Sequence, residues 1–374
     1  MGTLRLLLAL AVVISHTAPI AGFPLISGGL AVKVFFIVSG FYMALILSEK
    51  YQTRPHGLWL FFSNRFLRIF PIFWLVLFLE ILLGLIAPQF ATNPSAASLH
   101  QSLLHTSGPT VVATLALSEL TLFGSEWFSL LAWLPEQGLQ WHTSTNPADA
   151  LRGWQLTLMP HTWTLGCEIA FYLAAPWLNR LRSLWLILIL VANIALIISL
   201  PRLIDPRLAE AAIDYSAPLQ FGFFIAGMLA WRSCQSWPKA FHARSGLLLI
   251  GLLITFLFGF NVFSQITSSG ALLGLFTSAA VAIPALFLTS RHLHWDRLIG
   301  DLSYPIYLCH PLVIRFLHEC GPSLFPDRDW TQSSAFTIST ILLSCALAWL
   351  LSQAVDRPLN RLRQRRVSPT GHAP

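Results

Sequence analysis

The chain has 374 residues, of which 55% are hydrophobic and only 10% charged, far below the roughly 25% charged residues of an ordinary soluble domain. That composition excludes a soluble enzyme and predicts an all-α, polytopic integral membrane helix bundle. The formal charge of +7 would suit nucleic acid only if the basic residues shared one exposed face, and their distribution points elsewhere.

Apolar runs of the ~20 residues that cross a hydrocarbon core ~30 Å thick predict ten helices, at about 4–21, 29–48, 70–87, 161–178, 184–200, 216–231, 246–263, 270–290, 301–318 and 334–354. Ten is even, so both termini share a side. With both ends cytoplasmic, the inner segments hold 17 basic residues and the outer ones only Arg152, Arg202, Arg207 and Arg328, while Lys33 and Arg315 fall inside spans. Positive charge kept on the inner side is the expected bias of a multi-pass protein, and it accounts for the net charge without nucleic acid. One basic residue before a long apolar run also suits a secretory signal, but Pro19 fits a cleavage site after Ala21 poorly, and the run is expected to remain as the first span.

In that first helix, "RLLLALAVVISH" puts Arg5 and His16 eleven residues apart. Eleven steps of ~100° make three turns with ~20° left over, so both project from one face, about 16 Å apart along the axis. An anion-binding group at the cytoplasmic mouth is thus aligned with a possible general base in the interior. A snorkelling arginine and a histidine bonded to a neighbouring helix is the plain alternative. Next, the small residues of "GGLAVKVFFIVSGFY", Ser39 among them, permit close helix approach. Lys33 costs ~3 kcal/mol or more in a bilayer centre, so it faces a cavity or a partner, or snorkels to the outer surface. In "FFSNRFLRIFPIFW", Arg65 and Arg68 share a face just before the third span. Two guanidiniums there suit a phosphorylated cytoplasmic ligand, with Asn64 able to add a hydrogen bond; ordinary inner-surface charge is the rival reading.

Residues 88–160 form a long outer segment. Its stretch 109–134 is long enough to span, but an eleventh helix would ruin the charge split, and Glu119 and Glu126 oppose lipid exposure. An interfacial or re-entrant element is expected. Trp127, Trp133, Trp141 and Trp154 in this segment suit either sugar stacking or an aromatic belt. In "HTWTLGCEIAFYLAAPWL", His161, Thr164 and Glu168 make one polar stripe, and Glu168 near mid-bilayer needs a proton, water or a cation: His16, Lys33 or an arginine. In "DLSYPIYLCHPLVI", Ser303, Tyr307 and His310 share a face, with Pro305 and Pro311 expected to distort the helix and His310 deep enough to meet His16. The tail 357–374 is expected to be a solvated basic end near anionic lipid, following a transmembrane unit over 1–356. The five cysteines form no CxxC and no metal-ligand spacing, and no GxSxG, HExxH or P-loop is present, so neither a metal nor a disulfide framework is expected.

Together these stretches resemble one family, the polytopic acyltransferase-3 membrane proteins that O-acylate surface polysaccharides. The similarity rests on six motifs in order: the Arg and His of "RLLLALAVVISH", "VFFIVSGF", "RFLRIFPIFW", "WTLGCEIAFYLAAPW", "SYPIYLCHP" and "VDRPL". The resemblance implies a bacterial inner-membrane enzyme taking an acyl group, acetyl being the expected one, from cytoplasmic acyl-CoA to a saccharide hydroxyl. It implies His16 as catalytic histidine with Arg5 its partner, Arg65 and Arg68 on the CoA phosphates, and Glu168 and His310 as polar positions of the pore. Taken with the residue patterns above, the expected site adds Glu168 to the catalytic group, Asn64 to the phosphate group, and Tyr307, Ser303, Lys33 and Trp163 with His310 to the substrate pore. Lys33 departs from relatives, which often carry an acidic or neutral residue there. The SGNH-type esterase domain that some relatives append is not expected. The alternative from another class is a transporter or flippase of a polysaccharide pathway, whose buried charges form a substrate or proton path.

Overall fold

The computed structural model describes residues 1–23, 25–52, 54–134, 136–148, 150–236, 243–324 and 330–367. A helix occupies each of the ten predicted positions: α1 (Gly2–Ser15), α2 (Gly28–Ile46) and α3 (Gly57–Ile86), then, after α4 (Ala96–Ser107) and α5 (Pro109–Thr121), α6 (Trp163–Leu178) and α7 (Ser183–Leu203). The short α8 (Pro206–Tyr215) precedes α9 (Ala217–Gln235), α10 (Ala243–Ile266) and α11 (Ser268–Ser290). The chain closes with α12 (His294–Asp301), α13 (Ser303–Leu324), α14 (Ser334–Leu351) and α15 (Arg357–Val367). Lys239 and Arg328 of the charge count lie outside the described residues, as does the tail beyond Val367.

Six helical segments among the described residues are long and apolar enough to cross a membrane by length and composition, and the protein is an all-α multi-pass membrane bundle. The segments failing that test include those around α1, α6 and α13, which carry the polar stripes. Much of those stripes is buried, His161, Thr164, Ser303 and His310 among them, so neighbouring helices and not lipid meet these polar side chains. α7 and α10 are the reverse: apolar all round, with Leu184, Val191 and Ile198 of α7 and Leu248 and Phe258 of α10 exposed, as a lipid-facing helix requires.

The core is set by α2 against α9. A Cβ on Gly40 would collide with the Phe224 carbonyl oxygen and one on Gly227 with that of Ile37, so two glycines let the backbones touch, as the small residues of "VSGF" suggest. Phe224 then stacks between Phe36 and Phe171 at centroid distances of 4.5 and 4.2 Å, tying α6 to the pair. The third helix differs from expectation. α3 begins at Gly57 and runs 30 residues, about 45 Å, so Arg65 and Arg68 lie inside a helix and not ahead of it. Nothing in "FFSNRFLR" breaks a helix, and its aromatic faces pack on neighbours.

The outer segment folds as a small α/β cap. α5, at 13 residues, is too short to span, and Gly108, at φ 81°, turns the chain from α4 into it. Three short antiparallel strands follow in the order β2-β1-β3: β1 (Leu131–Leu134), β2 (Gly138–Trp141) and β3 (Leu151–Arg152). Trp133 pairs with Leu139 and Leu151 in register and is buried, whereas Trp127, Trp141 and Trp154 are exposed. Glu80 at the far end of α3 anchors the cap by accepting from Thr92.

Glu119 is buried under this cap and accepts the Leu158 N–H. Burial pushes its carboxyl up to about 7, against the pull of that hydrogen bond. The folded cap therefore holds a proton that the unfolded chain has released between pH ~4.5 and ~7. Its stabilising share is full below that window and is lost as pH rises through it. The Glu119→Gln variant should flatten the fall in thermal midpoint between pH 5 and 8 in detergent; an unchanged pH slope would refute this assignment.

Candidate active site

A cavity of about 510 Å³ opens among α1, α2, α3, α6, α12, α13 and α15, within the size range of small-molecule sites. Its charge is lopsided. Arg5, Lys50, Arg65, Arg68, Arg297 and Arg363 line it, against the carboxylates of Glu168 and Asp301. Two of the bordering segments are π-helical turns, Leu47–Tyr51 after α2 and Ser352–Asp356 between α14 and α15. Such turns widen a helix locally, and here they lead Lys50 and Tyr51 to the wall and Asp356 to the arginines behind it.

The two arginines of α3 share a face but have different surroundings. Arg68 donates to Asp356 at 2.8 Å and lies 3.6 Å from Asp301, so two carboxylates hold it. Arg65 has no carboxylate within ion-pair distance among the described residues. Its guanidinium lies 5.9 Å from the centre of the Tyr172 ring, and its Nε is buried without a partner. Asn64 donates to the Tyr51 hydroxyl at 3.0 Å and leaves its buried Oδ1 unsatisfied.

Deeper in, Glu168 meets no cation within 4 Å among the described residues, so of the partners open to it the candidate cations His16, Lys33 and the arginines are not the ones it contacts. Its Oε1 accepts from Ser39 at 2.9 Å and from the Tyr172 hydroxyl one turn along α6. Two hydroxyl donors thus occupy the place a cation would take. The cavity ends at a hydroxyl pair. The Tyr307 hydroxyl lies 2.7 Å from Thr164 Oγ1 and donates to the His161 carbonyl oxygen at 2.5 Å, and both side chains line the cavity wall. Ser303, bonded to the Gly300 carbonyl, also lines it.

Behind that pair stand three imidazoles. The His16 and His310 ring centres are 5.2 Å apart and those of His161 and His310 5.6 Å. Backbone carbonyls fix their tautomers. His16 sits at the C-terminal cap of α1, where its own N–H bonds back to Val13, leaving the Val12 carbonyl for Nδ1 at 2.8 Å. In α13, Pro311 has no N–H, so the Tyr307 carbonyl four residues back has no ladder partner and takes His310 Nδ1–H at 2.8 Å. His161 donates Nε2–H to the Leu308 carbonyl at 3.2 Å. The proton-accepting nitrogens are therefore Nε2 of His16, Nε2 of His310, which is buried and unpartnered, and Nδ1 of His161. His16 alone of the three is exposed, so its ring is the one open to an incoming molecule. Pro305 lies in the first turn of α13 and Pro311 within it, and the helix continues through both.

The structure thus brings Arg5, Asn64, Arg65, Arg68, Glu168, Ser303 and Tyr307 to one cavity, and His16 and His310 together just beyond it. Two candidates lie elsewhere. Lys33 is paired with Asp214 of α8 at 2.9 Å, and Trp163 packs edge-on against Tyr215 at 4.9 Å. Neither lines the cavity. Sequence reasoning left out Tyr172, legible one turn after Glu168, and Asp301, Asp356 and Arg363, whose roles depend on distant partners. It found the His161 stripe without assigning His161 to the site.

Comparison with known proteins adds an independent line. The sequence profile of the family described as "Acyltransferase domain" matches residues 2–352. The chain is similar to "Acyltransferase MdmB" of Streptomyces mycarofaciens, at 27% identity over 93% of this chain and 84% of the relative. It is also similar to "Exopolysaccharide production protein ExoZ" of Rhizobium meliloti (strain 1021), at 25% identity over 94% and 96% of the two chains. "Nodulation protein 10" of Rhizobium leguminosarum bv. viciae matches at 25% identity over 98% and 94%. No solved structure matches the chain.

Proposed function

The chain belongs to the acyltransferase-3 family of membrane O-acyltransferases, and from that premise we propose that it carries an acyl group from cytoplasmic acyl-CoA to a hydroxyl of an extracytoplasmic or lipid-linked saccharide. Acetyl is the expected acyl group and the bacterial inner membrane the expected location, with both termini cytoplasmic and ten spans.

One observation carries this reading: a cation-lined cavity ends at the Thr164–Tyr307 pair with a tautomer-fixed histidine cluster directly behind it. A nucleotide-linked thioester suits the two halves. Its phosphates match the arginines, with Asn64 beside them, and its pantetheine arm runs past Ser39, Glu168 and Ser303 toward Tyr307. His16 Nε2 takes the acceptor hydroxyl's proton as that oxygen attacks the thioester carbonyl. The carbon–sulfur bond then breaks, and the CoA thiolate leaves and takes the proton back from the imidazolium. A variant of the scheme has Nε2 hold the acyl group transiently before the hydroxyl receives it. His310 packs against His16 and fixes the ring's position. The Thr164–Tyr307 contact separates donor cavity from histidines, so it must part as the thioester advances.

The test is mass spectrometry of surface glycans with and without the gene. Loss of one ester, restored by the wild-type chain, is the expected result; identical glycans, with no transfer from acyl-CoA by purified protein, would overturn the proposal in favour of transport.

A further inference from the structure

We propose that the C-terminal helix α15 is a wall of the donor site and that its Arg363, together with Arg65, binds a phosphate group of the phosphorylated donor. The inference rests on reading the cavity as the acyl-CoA site, and goes beyond it by assigning a ligand role to a segment whose sequence suggests only a solvated basic tail.

The helix presents its basic residues on different sides. Arg361 and Arg365 are exposed, whereas Arg363 is only 8% exposed and lines the cavity together with Asn360 of the same helix. The geometry around Arg363 is incomplete. Its Nη2 accounts for two contacts, the Asn360 Oδ1 at 3.1 Å and the Asp356 Oδ1 at 3.6 Å. Its Nε is buried with no hydrogen-bond partner, as is the Nε of Arg65 on the same cavity. A buried guanidinium N–H left empty costs free energy until an acceptor arrives. Asp356 and Asp301 are engaged by Arg68 at 2.8 and 3.6 Å, and Glu168 is held by hydroxyls, so these carboxylates do not satisfy the two donors. The missing acceptor is an anion with several oxygens, and a phosphate group matches the planar fork of arginine.

Phosphate oxygens could come from the nucleotide donor or from a lipid headgroup. Burial of Arg363 within the cavity favours the donor, while Arg361 and Arg365 face outward where headgroups lie.

Full-length protein in phosphatidylcholine nanodiscs would be titrated calorimetrically with coenzyme A and with phosphate-free pantetheine, and the series repeated in discs containing phosphatidylglycerol. Arg363→Ala is expected to weaken coenzyme A binding about tenfold to a hundredfold in both lipids. Arg363→Lys should lose less, Arg365→Ala should bind like wild type, and pantetheine binding should not depend on residue 363. Thermal midpoints identify any variant that fails to fold, and Arg363→Lys then serves alone. Wild-type coenzyme A affinity in Arg363→Ala, or a loss confined to anionic discs, would overturn this inference and leave the donor reading intact. Failure of the wild-type protein to bind coenzyme A at all would overturn both.

Discussion

Replacing His16 by alanine is expected to abolish acyl transfer while the protein still folds and binds acyl-CoA. His16 caps α1 at an exposed position, so truncation removes one ring contact with His310 and little core packing. The chemical loss is much larger. A positioned general base contributes about 10²–10⁴-fold, and the nitrogen that would do this work is already aimed by the Val12 carbonyl. The loss should appear in kcat, with KM for the donor unchanged, because the imidazole acts on the reacting hydroxyl and not on the nucleotide. His310 also offers a free Nε2, but it is fully buried, so any residual rate through it should vanish in the double variant His16→Ala with His310→Ala. Transfer at the wild-type rate by a well-folded His16→Ala protein would remove the chemical basis of the proposed mechanism.

The second large effect separates Arg68 from Arg65. Arg68→Ala should destabilise the protein by on the order of 3 kcal/mol, because it strands a buried Asp356 carboxylate, softened by Arg363 at 3.6 Å. Adding Asp356→Asn should recover only part of the loss, since the stranded carboxylate is removed while Arg363 gives up its carboxylate contact at 3.6 Å. Arg65→Ala strands nothing comparable, because among the described residues Arg65 has no carboxylate partner and its guanidinium lies by the Tyr172 ring on the cavity wall. Its thermal midpoint should hold while coenzyme A affinity falls at least about tenfold. Thermal unfolding in detergent beside calorimetric titration distinguishes the two; equal loss of stability in both variants would show that the pair acts as one structural unit.

That division of labour shows where sequence reading stops. Helical periodicity placed Arg65 and Arg68 on one face, but Asp356, 288 residues from Arg68, decides which of them is structural. Lys33 is the same case: its cost in a membrane predicts a partner, and only the fold supplies Asp214, 181 residues away. What a helix carries along its own length was legible. The small residues of "VSGF" imply close approach, and counting about ten residues from the predicted inner ends of their spans puts His16 and His310 at matching depth. Glu168 reads as needing a proton, water or a cation, and one helix viewed alone does not show the Ser39 hydroxyl facing it from α2. The cap's sheet escaped because its strands are two to four residues long, too short for alternation to register.

Pro311 has a consequence beyond the shape of α13. By withholding a single N–H it turns the main chain into a template that decides which nitrogen of the neighbouring ring carries hydrogen. An otherwise identical protein with alanine there would keep the histidine yet let it swivel or invert its polarity, turning a donor toward the neighbouring imidazoles. Proton placement in this molecule is thus written partly into a backbone defect, one residue away from the side chain that displays it.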